Sequence, residues 1–254
     1  MKTVYIHIGN FKTGTSAVQS YCSRHVSRLR ANGIDYVKAA RTKNAPDSHA
    51  ALALSLLDEQ GCYTPAWYFR NYRSRDLLNA IVSEIDASPC DSALLSSEEF
   101  YRIAGQSERN SAEIMQNLSS AFSKYSVRVI MYVKPPLEFY KSWYNQANKG
   151  TTAVRRFTDF AFYLNNSLLL PHRNAALWRK NFGTDSLVIE PYVAVGSRHI
   201  ERFLELLGLN PDSSWAIPDK IVNPKRREDT MELDRVARAL ALEDPSARIK
   251  FLTS

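Results

Sequence analysis

The chain has 254 residues, 44% apolar and 23% charged, the balance of an ordinary globular protein with a sizeable core and not of a repeat or low-complexity chain. No stretch approaches the roughly 20 apolar residues that span a bilayer, and the N-terminus lacks the shape of a signal peptide, so a cytoplasmic protein is expected. The formal charge of +7, from 33 Lys and Arg against 26 Asp and Glu, favours acidic partners. The basic residues are dispersed and no recognised motif accompanies them, which argues against nucleic acid and leaves a polyanionic small molecule or a merely basic surface.

Residues 3–8 alternate Val4, Ile6 and Ile8 and predict a first strand. The run His7 to Gln19 follows, HIGNFKTGTSAVQ, and then a helical pattern over 15–32 in which Val18, Tyr21, Cys22, Val26 and Leu29 recur. Cys22 falls on that stripe as a structural thiol; with Cys62 and Cys90 it makes an odd, widely spaced set with no metal-ligand pattern. Further strands are predicted at 35–38, 93–97, 127–133 and 186–189, several of them continuous apolar runs of the kind found in central parallel strands. Helices are predicted at 74–85, 108–122, 136–149 and 200–207. A last one begins at Asp229, with Glu232 in capping-box position and Val236 and Leu240 inward. Strand alternating with helix predicts one α/β domain over 1–254, of P-loop type: a three-layer sandwich with a central parallel sheet of about five strands. Ligands in such sheets sit beyond the carboxyl ends of the strands.

Strand, glycine-bearing loop with a lysine, then helix: that order grips a phosphate through loop amides, helix N-terminus and a fixed charge. A Walker A loop places its lysine after the second glycine. Here Lys12 lies two residues before Gly14, and the hydroxyls are Thr15 and Ser16. The third strand ends in Ser96, Ser97 and Glu98, without a magnesium-binding aspartate. The loop reads as one for a phosphate ester with no obligatory metal.

The HxGxxKTGT pattern resembles the 5′-phosphosulfate loop of PAPS-dependent sulfotransferases, particularly bacterial carbohydrate-type enzymes. The segment VRVIMYVKPPLEFYKSWYNQ, from Val127 to Gln146, is similar to that family's 3′-phosphate segment. LLSSEEF and the stretch from Trp178 to Leu209 are similar too. The resemblance implies PAPS as co-substrate, PAP as product and a hydroxyl acceptor, on a carbohydrate or glycolipid, with peripheral membrane contact allowed. It implies that Gly9, Lys12, Thr13, Gly14, Thr15 and Ser16 hold the 5′-phosphate, with Lys12 stabilising the charge that grows on the leaving oxygen. Lys134 and Ser142 would take the 3′-phosphate. The family usually carries arginine at the first of these, and lysine keeps the charge without the bidentate fork. In the helix from Pro136, Leu137, Tyr140, Tyr144 and Ala147 make an apolar stripe, so Ser142 falls on the opposite side.

The acceptor needs a base. His49, opening a helical run, ranks slightly above Glu98 at the end of the third strand, and His7 orders the loop or packs beneath it. Arg226, in the basic run Asn223 to Arg227, would close over the nucleotide. The aromatic loop from Tyr63 to Tyr72 either lines an acceptor site or is partly core; Arg155 and Arg156 read as a solvated face. Two other classes remain open: an ATP-using P-loop small-molecule kinase, and a catalytically silent nucleotide-binding protein.

Overall fold

β1 (Thr3–Gly9), β2 (Ile34–Tyr36), β3 (Ser92–Ser96), β4 (Ser126–Val133) and β5 (Leu187–Pro191) pair in the order β2-β3-β1-β4-β5. Every pairing is parallel, and His7 lies opposite Ser96 on one side and Ile130 on the other. This computed structural model describes residues 1–65, 67–68, 71–147, 156–160, 162, 169–192, 198–217, 232, 235 and 236. The helices are α1 (Thr15–Arg24), α2 (Val26–Ala31), α3 (Ala50–Glu59), α4 (Ser74–Ala87), α5 (Glu108–Ala121), α6 (Pro136–Ala147), the single turn α7 (Phe157–Phe160), α8 (Pro171–Phe182) and α9 (Arg198–Leu206).

Side chains alternate across the sheet and build two cores. Val4, Ile6 and Ile8 of β1 join Leu95, Val129 and Met131 on one face, covered by α3, α4, α5 and α8. Tyr5, Leu94, Ile130 and Tyr132 lie on the other, under α1, α2 and α9 through Val18, Tyr21, Leu29, Ile200 and Phe203. The expected α/β class and central parallel sheet are what the chain forms.

The differences are local. The helix expected over 15–32 breaks at His25, whose amide is shared between the carbonyls of Tyr21 and Cys22 and whose ring stacks on Tyr21 at 4.1 Å. The second strand ends at Tyr36 because the amides of Lys38 and Ala39 turn to the Glu84 carboxylate, at 2.8 and 2.7 Å. α8 was not expected, although Pro171 opens it and Gly183, at φ 96°, follows it. In α6 the apolar face is rotated: Leu137 is 59% exposed, while Phe139, Tyr140 and Tyr144 are buried. The expected last helix lies outside the described residues except Glu232, Arg235 and Val236. Glu232 accepts a hydrogen bond from the Tyr144 hydroxyl at 2.8 Å. Among the described residues no helix is long and apolar enough to cross a membrane.

Connections leave β1 towards β2 and leave β4 towards β5, on opposite sides. A crevice therefore opens between the carboxyl ends of these two neighbours, where such sheets bind ligands.

Candidate functional site

The segment leaving β1 turns sharply. Lys12 and Gly14 both adopt left-handed backbone, at φ 67° and 74°. The Thr13 hydroxyl donates to the Asn10 carbonyl at 2.5 Å, and the Asn10 amide donates to the Tyr132 carbonyl of β4 at 2.9 Å. A Cβ on Gly9 would stand 2.6 Å from Thr13 Oγ1 and from Thr15 Cγ2, so the loop folds back over that glycine with no room for a side chain. Gly14 is N-cap to α1, and its carbonyl takes the first helical bonds, from Ala17 and Val18. The amides of Thr15 and Ser16 head the helix with no intrahelical acceptor ahead of them. Thr15 is buried, Ser16 exposed and Lys12 half-buried.

Lys134 directly follows β4. It is buried, its Nζ donates to the Lys12 carbonyl, and the Tyr192 ring lies 4.6 Å from the ammonium. Tyr192 is fixed beside the end of β4 by its amide, which donates to the Val133 carbonyl at 2.7 Å. Burial raises its phenol pKa, so the ring stays neutral beside the cation. With His199 of α9 it closes over Gly14, where a Cβ would meet Tyr192 at 2.9 Å. Ser142 is half-buried on α6, one turn from the buried Phe139 and across the helix from Tyr140 and Tyr144. Trp143 beside it stacks on Phe139 and meets Phe11 of the loop edge-on at 4.5 Å. The loop after β1 and the helix carrying Ser142 are thus held together by an aromatic contact.

His49 stands elsewhere. It is fully buried, its Nε2–H donates to the Val37 carbonyl at 2.9 Å, and its Nδ1 accepts from the Ser96 amide at 3.0 Å. Burial drives its pKa down to about 4. With both nitrogens bonded to backbone, it fastens the segment after β2 to the end of β3. His7, also fully buried, shares a 2.8 Å hydrogen bond with Ser96 Oγ, and burial lowers it to about 3, with His199 adding to the effect. His7 therefore lies beneath the loop.

Glu98 stands two residues beyond β3, at the head of the 3-10 segment Glu98–Gly105, which Ser97 caps by accepting from the Glu99 amide at 3.1 Å. Gln19 of α1 donates to Glu98 Oε2 at 2.9 Å, tying the carboxylate to the helix that follows the Lys12 loop. Both line a cleft of about 270 Å³ together with Ser16, Asp47, Ser48 and Trp67. Glu99 points instead to Arg102, at 3.0 Å. Burial nevertheless raises its pKa, against the pull of that guanidinium.

The structure therefore brings Gly9, Lys12, Thr13, Gly14, Thr15, Ser16 and Lys134 to one strand-end crevice, with Glu98 on the adjoining cleft. Arg226, Arg155 and Phe69 lie outside the described residues. The aromatic loop divides: Tyr68 is core, Tyr63 is 78% exposed against Arg102, and Trp67 faces the cleft. Sequence reasoning passed over Gln19, Tyr192, His199, Phe11 and Trp143. Only Tyr192 carried a usable signal, since it directly follows a strand.

No family model matches the chain, and no curated protein does either. Among solved structures, a sulfotransferase from Alicyclobacillus acidocaldarius is similar over 98% of this chain and 99% of that one, at 14% identity and a TM-score of 0.47.

Proposed function

We propose that the chain is a sulfotransferase that moves a sulfuryl group from PAPS to a hydroxyl of a carbohydrate or glycolipid acceptor. The observation that carries this reading is the meeting of two lysines at the switch point of the sheet: Lys134 beside Lys12, on a loop wrapped round a side-chain-free Gly9. Two cations of separate origin suit a nucleotide with two separate phosphates. The amides of Thr13 to Ser16 and the hydroxyls of Thr15 and Ser16 bind the 5′-phosphate. Lys134 and Ser142 take the 3′-phosphate, and Arg226 belongs to the same proposal.

The acceptor hydroxyl attacks sulfur in line with the leaving oxygen. Glu98 takes its proton, the new O–S bond forms, and the bridging S–O bond breaks. Its electron pair stays on the 5′-phosphate of PAP, where Lys12 stabilises the added charge. Glu98 replaces His49 as the base in this proposal, because the nitrogens of His49 are committed to Val37 and Ser96. The transfer needs no metal, so chelator leaves it unchanged.

The test is a thermal scan with PAP, with ATP and magnesium, and without ligand, followed by turnover of radiolabelled PAPS. Selective stabilisation by PAP is expected. Lys12→Ala is expected to lower turnover by about 100-fold or more while the chain stays folded. No shift with millimolar PAP, or a larger one with ATP and magnesium, overturns the reading.

A further inference from the structure

The cleft beside Glu98 runs against the charge of the molecule. On a chain of formal charge +7, it is lined by three carboxylates, Asp47, Glu98 and Glu99, and by no Lys, Arg or His among the described residues. Glu99 is neutralised by Arg102. Asp47 and Glu98 have no ion pair among the described residues. Gln19 occupies one oxygen of Glu98 and leaves the other to the cleft. A second observation is independent of charge. Ser48, only 8% exposed, lines the same cleft, and its hydroxyl has no hydrogen-bond partner among the described residues. On a side chain otherwise packed away, a hydroxyl that reaches the cleft without a protein partner is a group that a ligand can meet. Trp67, 43% exposed, adds an aromatic wall. The volume of about 270 Å³ falls at the small end for ligand sites, enough for one ring.

We infer that the acceptor is a small polyhydroxylated compound bearing a protonated amine, of amino-sugar type. Its ammonium answers Asp47, a hydroxyl meets Ser48, its apolar face rests on Trp67, and the reacting hydroxyl meets Glu98. Anionic sugars are rejected by the same carboxylates. The identification of Glu98 as the base rests on the transfer reading above; the amine selectivity of the cleft does not.

The test is ligand-observed NMR with glucosamine, glucose and glucuronic acid as matched one-ring probes, with and without PAP. Glucosamine is expected to bind about tenfold more tightly than glucose, and glucuronic acid least, as a charge-assisted contact requires. Asp47→Asn is expected to bring glucosamine to the level of glucose while leaving the PAP-induced thermal shift unchanged. Equal or tighter binding of glucose or glucuronic acid, absence of glucosamine binding, or an Asp47→Asn protein with undiminished preference each overturn the inference. Amine selectivity without any response to PAP would leave the cleft assigned and sink only the donor reading.

Discussion

His7, Ser96 and His49 form a row beneath the loop, and both imidazoles are buried in the neutral state. From an ordinary value of 6.5, burial takes His7 to about 3 and His49 to about 4. The unfolded chain binds these protons near pH 6.5 and the folded chain does not. The stability contributed by the neutral rings is complete above that pH and is lost as pH falls towards 4. By about pH 5 each histidine should have cost about 2 kcal/mol. Urea unfolding between about pH 7 and pH 4 is expected to show this slope, and His49→Gln to flatten it. An unchanged slope in His49→Gln would return His49 to candidacy as the base. From the sequence, the position of His49 before a helical run looked catalytic. What decided otherwise was the Val37 carbonyl and the Ser96 amide, partners 12 and 47 residues away that no local pattern announces.

Among elements, α6 shows both how far periodicity reaches and where it stops. Its existence and its start at Pro136 were legible. The rotation that exposes Leu137 and buries Phe139 was not: Phe139 joins the core and stacks on Trp143, which meets Phe11, an apolar residue inside a loop that reads as polar. Trp143→Ala removes the surface joining that loop to α6. The expected cost is roughly 2–3 kcal/mol in urea unfolding, at the low end for an aromatic deletion because Trp143 is only partly buried. PAP affinity in calorimetric titration should fall about tenfold as the loop loosens. Trp143→Phe should recover most of both. If PAP affinity survives Trp143→Ala unchanged, α6 and the loop do not act as one site. The strands were more legible, since a short continuous apolar run between two helices suits a parallel strand buried on both faces. α8 was missed although its Pro171 and Gly183 were in plain view.

For the whole molecule, the net charge and the cleft make opposite statements. On the proposed reading, the net charge of +7 favours a polyanionic donor at the β1–β4 crevice, while the carboxylates beside it suit a different kind of guest. Two substrates of opposite charge would then meet without competing for one subsite. PAP affinity is accordingly expected to fall about three- to tenfold between about 50 and 300 mM salt, as long-range attraction is screened. Glucosamine binding should weaken with salt as well. Salt-independent PAP binding would assign the basic surface to solubility alone.

β1 occupies the middle of the sheet, between β3 and β4, yet it is made before either. Its partner residues run from Ser92 to Tyr132, so about half the chain must leave the ribosome before Val4, Ile6 and Ile8 are covered on both sides. Until then an apolar strand with two unpaired edges is exposed, the kind of segment that chaperones bind and that aggregates when they are absent. The strand that ends in the Lys12 loop is therefore also the one that makes the newborn chain most dependent on help, and yield at high expression temperature should suffer there first.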